Sequence, residues 1–507
     1  MNTAQSNEPT RRDPVLVQAM ELAEYVRAQG QQGSAAHEVE QGIWTRVLQL
    51  GLWALQQFFA YAGDGDVGEQ AVLPGGRTVR RLPELHVRPY HSVFGELAIE
   101  RAVYGTRKDQ RIEWVPLDAR VQLPESKFSY LLQDWDQLLV VEEPYGGVSE
   151  RLSRILGFSQ SVDSLERMNR KMATSVPEFF DTRPVPAPDQ EGAIAVASAD
   201  GKGVPMRRCG AQRPIETHRP KRGPKADTKK MALLGTVYTV EPLLRTPEEV
   251  VASLFRDPNA AKRSDQRARP QPRNKRVRAS LARSKEGTTQ PAVDEIFGWM
   301  AREVQARNPG ASKPLCVLFD GQESLWSSAE HYLPQENVTE ILDLLHITPR
   351  LWKAAYLFHP EGSSRAMEFV RDRVLGILQG KTASVTFGLR WMGEYKKLKS
   401  KKKQELAKIC NFFDKNQDRM RYDEYLNAGY PIATGVIEGA CRHLVKDRLE
   451  RAGMRWVLEG AQSMLHLRSV QLSGLWDEFT AYRIKRETQR LYPHIPRGQP
   501  SEMPLAA

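Results

Sequence analysis

Residues 314–321 read PLCVLFDG, an unbroken apolar run that stops at an aspartate and a glycine. Such a run leaves no polar face, so it suits a strand covered on both sides of a sheet. A second stretch shares the design. Residues 192–205, GAIAVASADGKGVP, read as a strand that ends at Asp200, as the first ends at Asp320. Asp-Gly is a favoured turn dipeptide, and for either stretch alone a turn explains it. Yet neither strand is followed at once by a clear partner, as a tight hairpin requires. Each instead sets an acid at a strand C-terminus, where open α/β sheets place their sites.

Working outward, residues 1–75 read as a helical N-terminal region, with helices expected at 14–29 and 38–62. GDGDVG (63–68) has the letters of a dinucleotide fingerprint but follows a helix and carries two aspartates, so a loop is expected. Residues 76–180 read as a small strand-rich region followed by a helix-turn-helix at 147–172. There Leu152, Ile155 and Leu156 form one apolar face, Gly157 the turn, and Val162 and Leu165 the inward side of the second helix. An ordinary helical hairpin has the same pattern. The proline-rich stretch 181–190, DTRPVPAPDQ, reads as a linker and domain boundary. Beyond it lie a core, first part 191–346, a helical insertion 347–430, C-terminal helices 431–490 carrying the last acid, and a tail 491–507.

Composition bounds the function. The 507 residues are 40% hydrophobic and 27% charged, with 73 Lys and Arg against 62 Asp and Glu, a net charge of +11. That balance suits a polyanionic partner where the charge is clustered. It is clustered at 206–230, 262–285 and 395–404, all beyond the linker. No apolar stretch is long enough to span a bilayer. The cysteines Cys209, Cys316, Cys410 and Cys441 form no CxxC pair, which argues against structural zinc or a disulfide framework. A cytoplasmic, nucleoid-associated protein is expected.

Two strand-borne aspartates followed much later by a helix-borne glutamate is the layout of a ribonuclease-H-like nuclease core. In-line attack on a phosphodiester is well served by two hard cations about 3.5–4 Å apart. Magnesium takes oxygen ligands and keeps several waters, so a few carboxylates suffice, and manganese is an acceptable substitute. The helix-borne candidate is Glu438 in GVIEGACRHLVKDR (435–448). Taken alone, Glu438 is a surface residue pairing with Arg442 one turn on, worth roughly 0.2–0.5 kcal/mol.

Several stretches also resemble a known family: ADGKGVP (199–205), LFDGQESLW (318–326), ILDLLHITPRLWKAA (341–355), GAQSMLHLRS (460–469) and above all the tract 419–456, RMRYDEYLNAGYPIATGVIEGACRHLVKDRLERAGMRW. They resemble bacterial insertion-sequence transposases of the ISKra group, DDE enzymes with a ribonuclease-H-like catalytic domain, from about residue 90 onward. The resemblance implies that Asp200, Asp320 and Glu438 bind two Mg²⁺ ions and that 347–430 is an insertion packed against DNA. It matches Asp343 and His346 to a D-x-x-H element of supporting role. It also implies a DNA transposase acting on double-stranded DNA, at element ends and target, as a homodimer or larger assembly. Relatives with cysteine pairs near the N-terminus have no counterpart here, so no metal is expected there. The expected DNA contacts are Arg442, His443, Lys446 and Arg448 beside the site, with Lys275, Arg276 and Arg278 in the second basic tract. Two alternatives stay open: a structure-specific ribonuclease-H-like nuclease without strand transfer, and a non-enzymatic helix-turn-helix regulator.

Overall fold

The computed structural model describes residues 14–73, 76–106, 112–207, 229–256, 269–285 and 288–493. Cys209, most of the first basic tract and the start of the second lie outside the described residues. The chain divides into two compact units. One comprises the residues up to Ser175 together with those from Asp477 onward, and the other comprises Val176–Trp476. Among the described residues, no helix is long and apolar enough to cross a membrane.

In the first unit α1 (Pro14–Gln32) and α2 (Ala36–Ala62) form a hairpin of helices, as the spacing predicts. The loop after α2 is closed by Asp66, which accepts hydrogen bonds from Gly68 N and the Tyr104 hydroxyl at 2.9 and 3.0 Å. Short strands follow: β1 (Gln70–Val72), β2 (Thr78–Arg81), β3 (His86–Ser92), β4 (Gly95–Arg101) and β5 (Tyr104–Gly105). They make a sheet of order β1-β2-β5 and a separate β3-β4 hairpin. After α3 (Pro116–Arg120) come α4 (Tyr130–Val140), α5 (Tyr145–Leu156) and α6 (Val162–Ala173). Leu152, Leu156 and Leu165 are buried as expected, whereas Ile155 and Val162 face solvent. The helical face turns by one position because α4 covers this pair with a polar network. Gln137 Nε2 donates to the Leu165 carbonyl, Asn169 Nδ2 donates to Gln137 Oε1, and Gln160 Nε2 lies 2.8 and 2.7 Å from the two oxygens of Asp136.

The second unit is a mixed α/β layer structure. It opens with α7 (Val176–Thr182), then β6 (Ile194–Pro205) and β7 (Lys229–Val240), α8 (Pro247–Leu254) and β8 (Arg273–Leu281). A small hairpin of β9 (Arg283–Lys285) and β10 (Thr288–Gln290) precedes α9 (Ala292–Arg307), β11 (Leu315–Phe319), α10 (Glu323–Tyr332) and β12 (Val338–Leu342). The five-stranded sheet runs in the order β12-β11-β6-β7-β8. Strand β7 lies antiparallel to both β6 and β8, while β11 lies parallel to both β6 and β12. Alternation decides the faces. Ala195, Ala197, Ala199, Val317 and Phe319 pack against α9 and α10 through Ile296, Phe297 and Trp326. Val196, Cys316 and Leu318 face the other way, into a core shared with α11 (Leu344–Phe358), α12 (Ser364–Leu378), α13 (Thr382–Tyr395), α14 (Ser400–Lys415) and α15 (Tyr422–Asn427). These helices cover most of the stretch 347–430. Next come α16 (Gly435–Ala440), the π-turn Cys441–Lys446, α17 (Asp447–Leu449) and α18 (Leu458–Leu472).

Helix α18 is buried on every side from Gly460 to Val470, the pattern of a helix inside a core. It also closes the sheet edge. Gln462 accepts from Leu281 N at 2.8 Å and donates to the Ala279 carbonyl at 3.2 Å, and Ser473 Oγ accepts from Val277 N at 2.9 Å. An open edge strand is thereby capped by side chains. Its successor α19 (Trp476–Leu491) goes with the first unit, where Arg483 donates to Gln133 at 3.0 Å.

Three expectations need correction. Strand β6 does not end at Asp200. It continues to Pro205, because β7 returns antiparallel and pairs Asp200 with Leu234. The unit boundary falls at Ser175, ahead of 181–190, because Phe179 and Phe180 are buried in the second unit and Glu191 is locked to Arg307. That carboxylate accepts from Arg307 Nε at 2.7 Å and Nη2 at 2.8 Å. Finally, Arg276 and Arg278 are not presented to a polyanion. They lie buried on β8, Arg276 paired with Glu303 at 3.5 Å and Arg278 with Asp181 at 3.5 Å and Glu295 at 3.8 Å. The Arg278 guanidinium also sits over the rings of Phe180 and Trp299. Lys275, just ahead of Arg276, is half-buried on the same strand.

Burial pushes the Asp136 carboxyl up to about 7, against the hydrogen bond from Gln160 that favours its charged form. The folded state therefore holds this proton more tightly than the unfolded chain does. Its contribution is greatest below the ordinary carboxylate range and is lost as pH rises towards 7. Asp136→Asn should leave the melting temperature nearly unchanged at pH 4 and stabilise the protein by roughly 1–4 kcal/mol above pH 7. Thermal melts across pH check this. A constant difference between the two proteins at all pH values would contradict it.

Candidate active site

The sheet register brings the acids together. Ser198 of β6 is the Cα partner of Leu318 of β11, and Phe319 is the partner of Leu342 of β12. Two residues past the first pair, Asp200 and Asp320 follow on neighbouring strands and on the face that carries Val196 and Leu318. One residue past the second pair, Asp343 follows beside Asp320, and Asp343 N donates to the Phe319 carbonyl at 2.9 Å. Asp320 is held at its strand end by Gln322 N, which donates to its Oδ1 at 2.9 Å. Between them Gly321 adopts a φ of 91°, and a Cβ there would lie 2.8 Å from the Phe412 ring.

Asp343 is fully buried and its carboxylate accepts from four groups. Oδ1 takes Leu345 N at 2.9 Å and Thr434 N at 3.2 Å, while Oδ2 takes His346 Nδ1 at 2.9 Å and the Thr434 hydroxyl. Four acceptor positions are thereby filled, which is a carboxylate's capacity. Asp343 thus caps α11, fixes the His346 ring and anchors the start of α16. The hydrogen bond that His346 donates to Asp343 holds its imidazole above the ordinary range, with the charges of Asp343, Asp320 and Glu438 adding to the effect.

Glu438 projects from α16 towards this group. Partial burial raises its carboxyl above the usual range, Asp343 and Asp200 raise it further, and His346 opposes them. On the next turn the Cys441 thiol lies 3.2 Å from Asp200 Oδ2. Burial and that carboxylate push the thiol well above its ordinary value, so it remains a donor. The helix then widens into a π-turn, a form that recurs at functional sites. Arg468 of α18 reaches into it, donating Nε to the Leu444 carbonyl at 3.1 Å and Nη2 to that of His443.

Among the described residues, the tightest grouping of metal-ligating types is Asp343, His346 and Glu438, whose ligand atoms lie within 4.8 Å of one another. This is not the expected set. Asp200 and Asp320 border that group without joining it at the same spacing. The carboxylate of Asp343 is already saturated, so it acts as a positioning residue. Asp200, Asp320, Glu438 and the outward nitrogen of His346 remain the groups that could hold a hard cation.

The expected phosphate contacts divide. Lys446 is exposed and lines a cleft with Gly201, Lys202, Gly203, Lys229 and Glu450, in which Lys229 pairs with Glu450 at 2.6 Å. Arg442 and His443 are exposed too, but they turn to Asp447, at 3.9 and 2.8 Å, and not to Glu438. Arg448 is a correction. It is fully buried, stacked over Trp456, because the chain from Leu449 to Trp456 folds back on it. Cys441 and Thr434 were missed by sequence reasoning. A signal existed for Cys441, which lies three residues after Glu438 on the same helical face.

Asp343→Ala strands four donors around a buried void and should destabilise the protein by about 3 kcal/mol or more. Asp343→Asn keeps one acceptor and should cost less, and Thr434→Val about 1 kcal/mol. Urea melts at neutral pH check the order. A near-neutral alanine variant would contradict the anchoring role. No family model and no curated protein matches the chain.

Proposed function

We propose that the chain is a DNA transposase with a ribonuclease-H-like core, which cleaves insertion-sequence ends and transfers the freed strands. One observation carries the reading. Neighbouring strands β6 and β11 end their apolar runs in Asp200 and Asp320, and the late helix α16 brings Glu438 beside Asp343 and His346 and near enough to Asp200 to feel its charge. The sheet order, three antiparallel strands followed by two parallel ones, supports a ribonuclease-H-like topology. The resemblance of the tract 419–456 to ISKra-group transposases supports the same reading.

The residues fit magnesium. The donors are hard oxygens, and burial together with the neighbouring acids Asp343 and Asp200 raises the carboxyl of Glu438, a penalty that a bound cation would relieve. Asp200, Asp320 and Glu438 would hold two Mg²⁺ or Mn²⁺ ions, which supply Lewis-acid stabilisation of a phosphodiester under attack. Because Glu438 takes up a proton more readily than an ordinary glutamate, cation affinity falls as pH falls. Asp343 holds α16 and His346 in place. Arg350 stacks 3.6 Å from the Phe412 ring centroid and lies close enough to Asp320 to feel its charge. Lys202 and Lys446 offer phosphates a cationic wall in the cleft lined by Gly201, where Lys229 is paired with Glu450. In this reading α5 and α6 serve as a helix-turn-helix that recognises element ends, and the partner is double-stranded DNA bound by a dimer or larger assembly.

Glu438→Gln and Asp320→Asn should each abolish cleavage of an end-containing duplex in Mg²⁺ by orders of magnitude, with DNA binding retained. Asp343→Asn should leave measurable cleavage, since it keeps an acceptor for Thr434. Near-normal cleavage by Glu438→Gln would overturn the enzymatic reading. Cleavage without joining of the 3′ ends would favour a nuclease that lacks strand transfer.

A further inference from the structure

Helix α13 buries one face and exposes an unusual one. Thr382, Thr386, Leu389 and Gly393 face the core, where Gly393 lets Leu406 approach so closely that a Cβ would lie 2.7 Å from its Cδ2. On the other side Phe387, Trp391 and Tyr395 recur every fourth residue and are 71, 58 and 67% exposed. Residues four apart on a helix stand above one another, so the rings form a ladder. Trp391 and Tyr395 are already parallel, with centroids 5.1 Å apart and an interplanar angle of 10°. None of the three belongs to a core cluster of this unit.

The chain just beyond the ladder is basic. Lys396, Lys397, Lys399, Lys401, Lys402 and Lys403 are all exposed, and the Lys396 ammonium lies 5.8 Å from the Tyr395 ring centroid. Glu394 and Glu405 are the acids of this stretch, and Glu394 pairs with Lys403 at 2.7 Å. Flat rings beside a lysine run match a ligand with flat faces and a polyanionic backbone. A second copy of this face would bring up an equally basic surface. An anionic lipid surface is the other ligand that rings beside lysines suit, and binding to lipid vesicles distinguishes it.

We propose that this face of α13 is a stacking platform for unpaired nucleobases, with the lysines of 396–403 holding the adjoining phosphates. Duplex bases are already stacked, so the platform takes a single-stranded or melted segment. The proposal rests on the DNA-processing reading for the identity of its ligand, and not on the acid cluster.

The test uses the full chain in EDTA, with a fluorescein-labelled oligothymidylate and a duplex of equal length, read by anisotropy. Trp391→Ala with Tyr395→Ala should weaken oligothymidylate binding by about tenfold for each ring removed. Duplex affinity should stay within about twofold. Phenylalanine at both positions should keep most of the single-strand affinity, which separates stacking from misfolding, and melts should match throughout. Unchanged oligothymidylate affinity in the alanine variant would overturn the proposal. So would an equal loss on duplex, a ring-dependent shift in oligomeric state, or ring-dependent binding to anionic lipid vesicles without an effect on oligothymidylate. Glu438→Gln should bind oligothymidylate like the wild type, so a failure of the catalytic reading is distinguishable from a failure of this one.

Discussion

The carboxylate of Asp343 is the constraint on which the rest of the site depends. It sits at the end of β12, yet it accepts both the amide and the hydroxyl of Thr434, some ninety residues later in the chain. That junction fixes the start of α16, and Glu438 lies one turn into α16. The same oxygens orient His346 and start α11, the first helix of the insertion. A single buried acid thus couples sheet, insertion and late helix. It can do so without an uncompensated charge because every acceptor position is used.

A second coupling runs through the late helices. The Cys441 thiol ties the turn after Glu438 to Asp200, and the π-turn beyond it leaves carbonyls that Arg468 of the buried helix α18 occupies. Helix α18 in turn seals the edge of β8 through Gln462 and Ser473. The acid-bearing helix is therefore braced from both sides by elements that also complete the fold. A substitution in α18 that frees the edge of β8 acts on the site as well.

How far the sequence could be read depends on which interactions are local. Asp320 was legible because an apolar run and the acid that ends it are adjacent in the chain. Asp200 was picked out on a mistaken premise, since its strand continues and a partner does return, after a connection too long to read as a hairpin. Glu438 was not legible locally. Its setting depends on Thr434 meeting Asp343, and only resemblance to a family marked it. The basic tracts show the limit most clearly. Composition cannot tell an arginine awaiting phosphate from one already paired, and the partners of Arg276 and Arg278 are Asp181, Glu295 and Glu303. The linker was misjudged for a similar reason. Prolines at 184, 186 and 188 look like spacer, but the flanking Phe180 and Glu191 are fastened into the second unit.

The central claim is that Asp200, Asp320 and Glu438 hold the cations while Asp343 holds the protein. Anomalous scattering from crystals of the protein soaked in Mn²⁺ tests it most directly. The expected result is manganese against the carboxylates of Asp200 and Asp320, with Glu438 turned towards it and Asp343 still bonded to Thr434. Manganese bound by Asp343, His346 and Glu438, with none at Asp200, would contradict it.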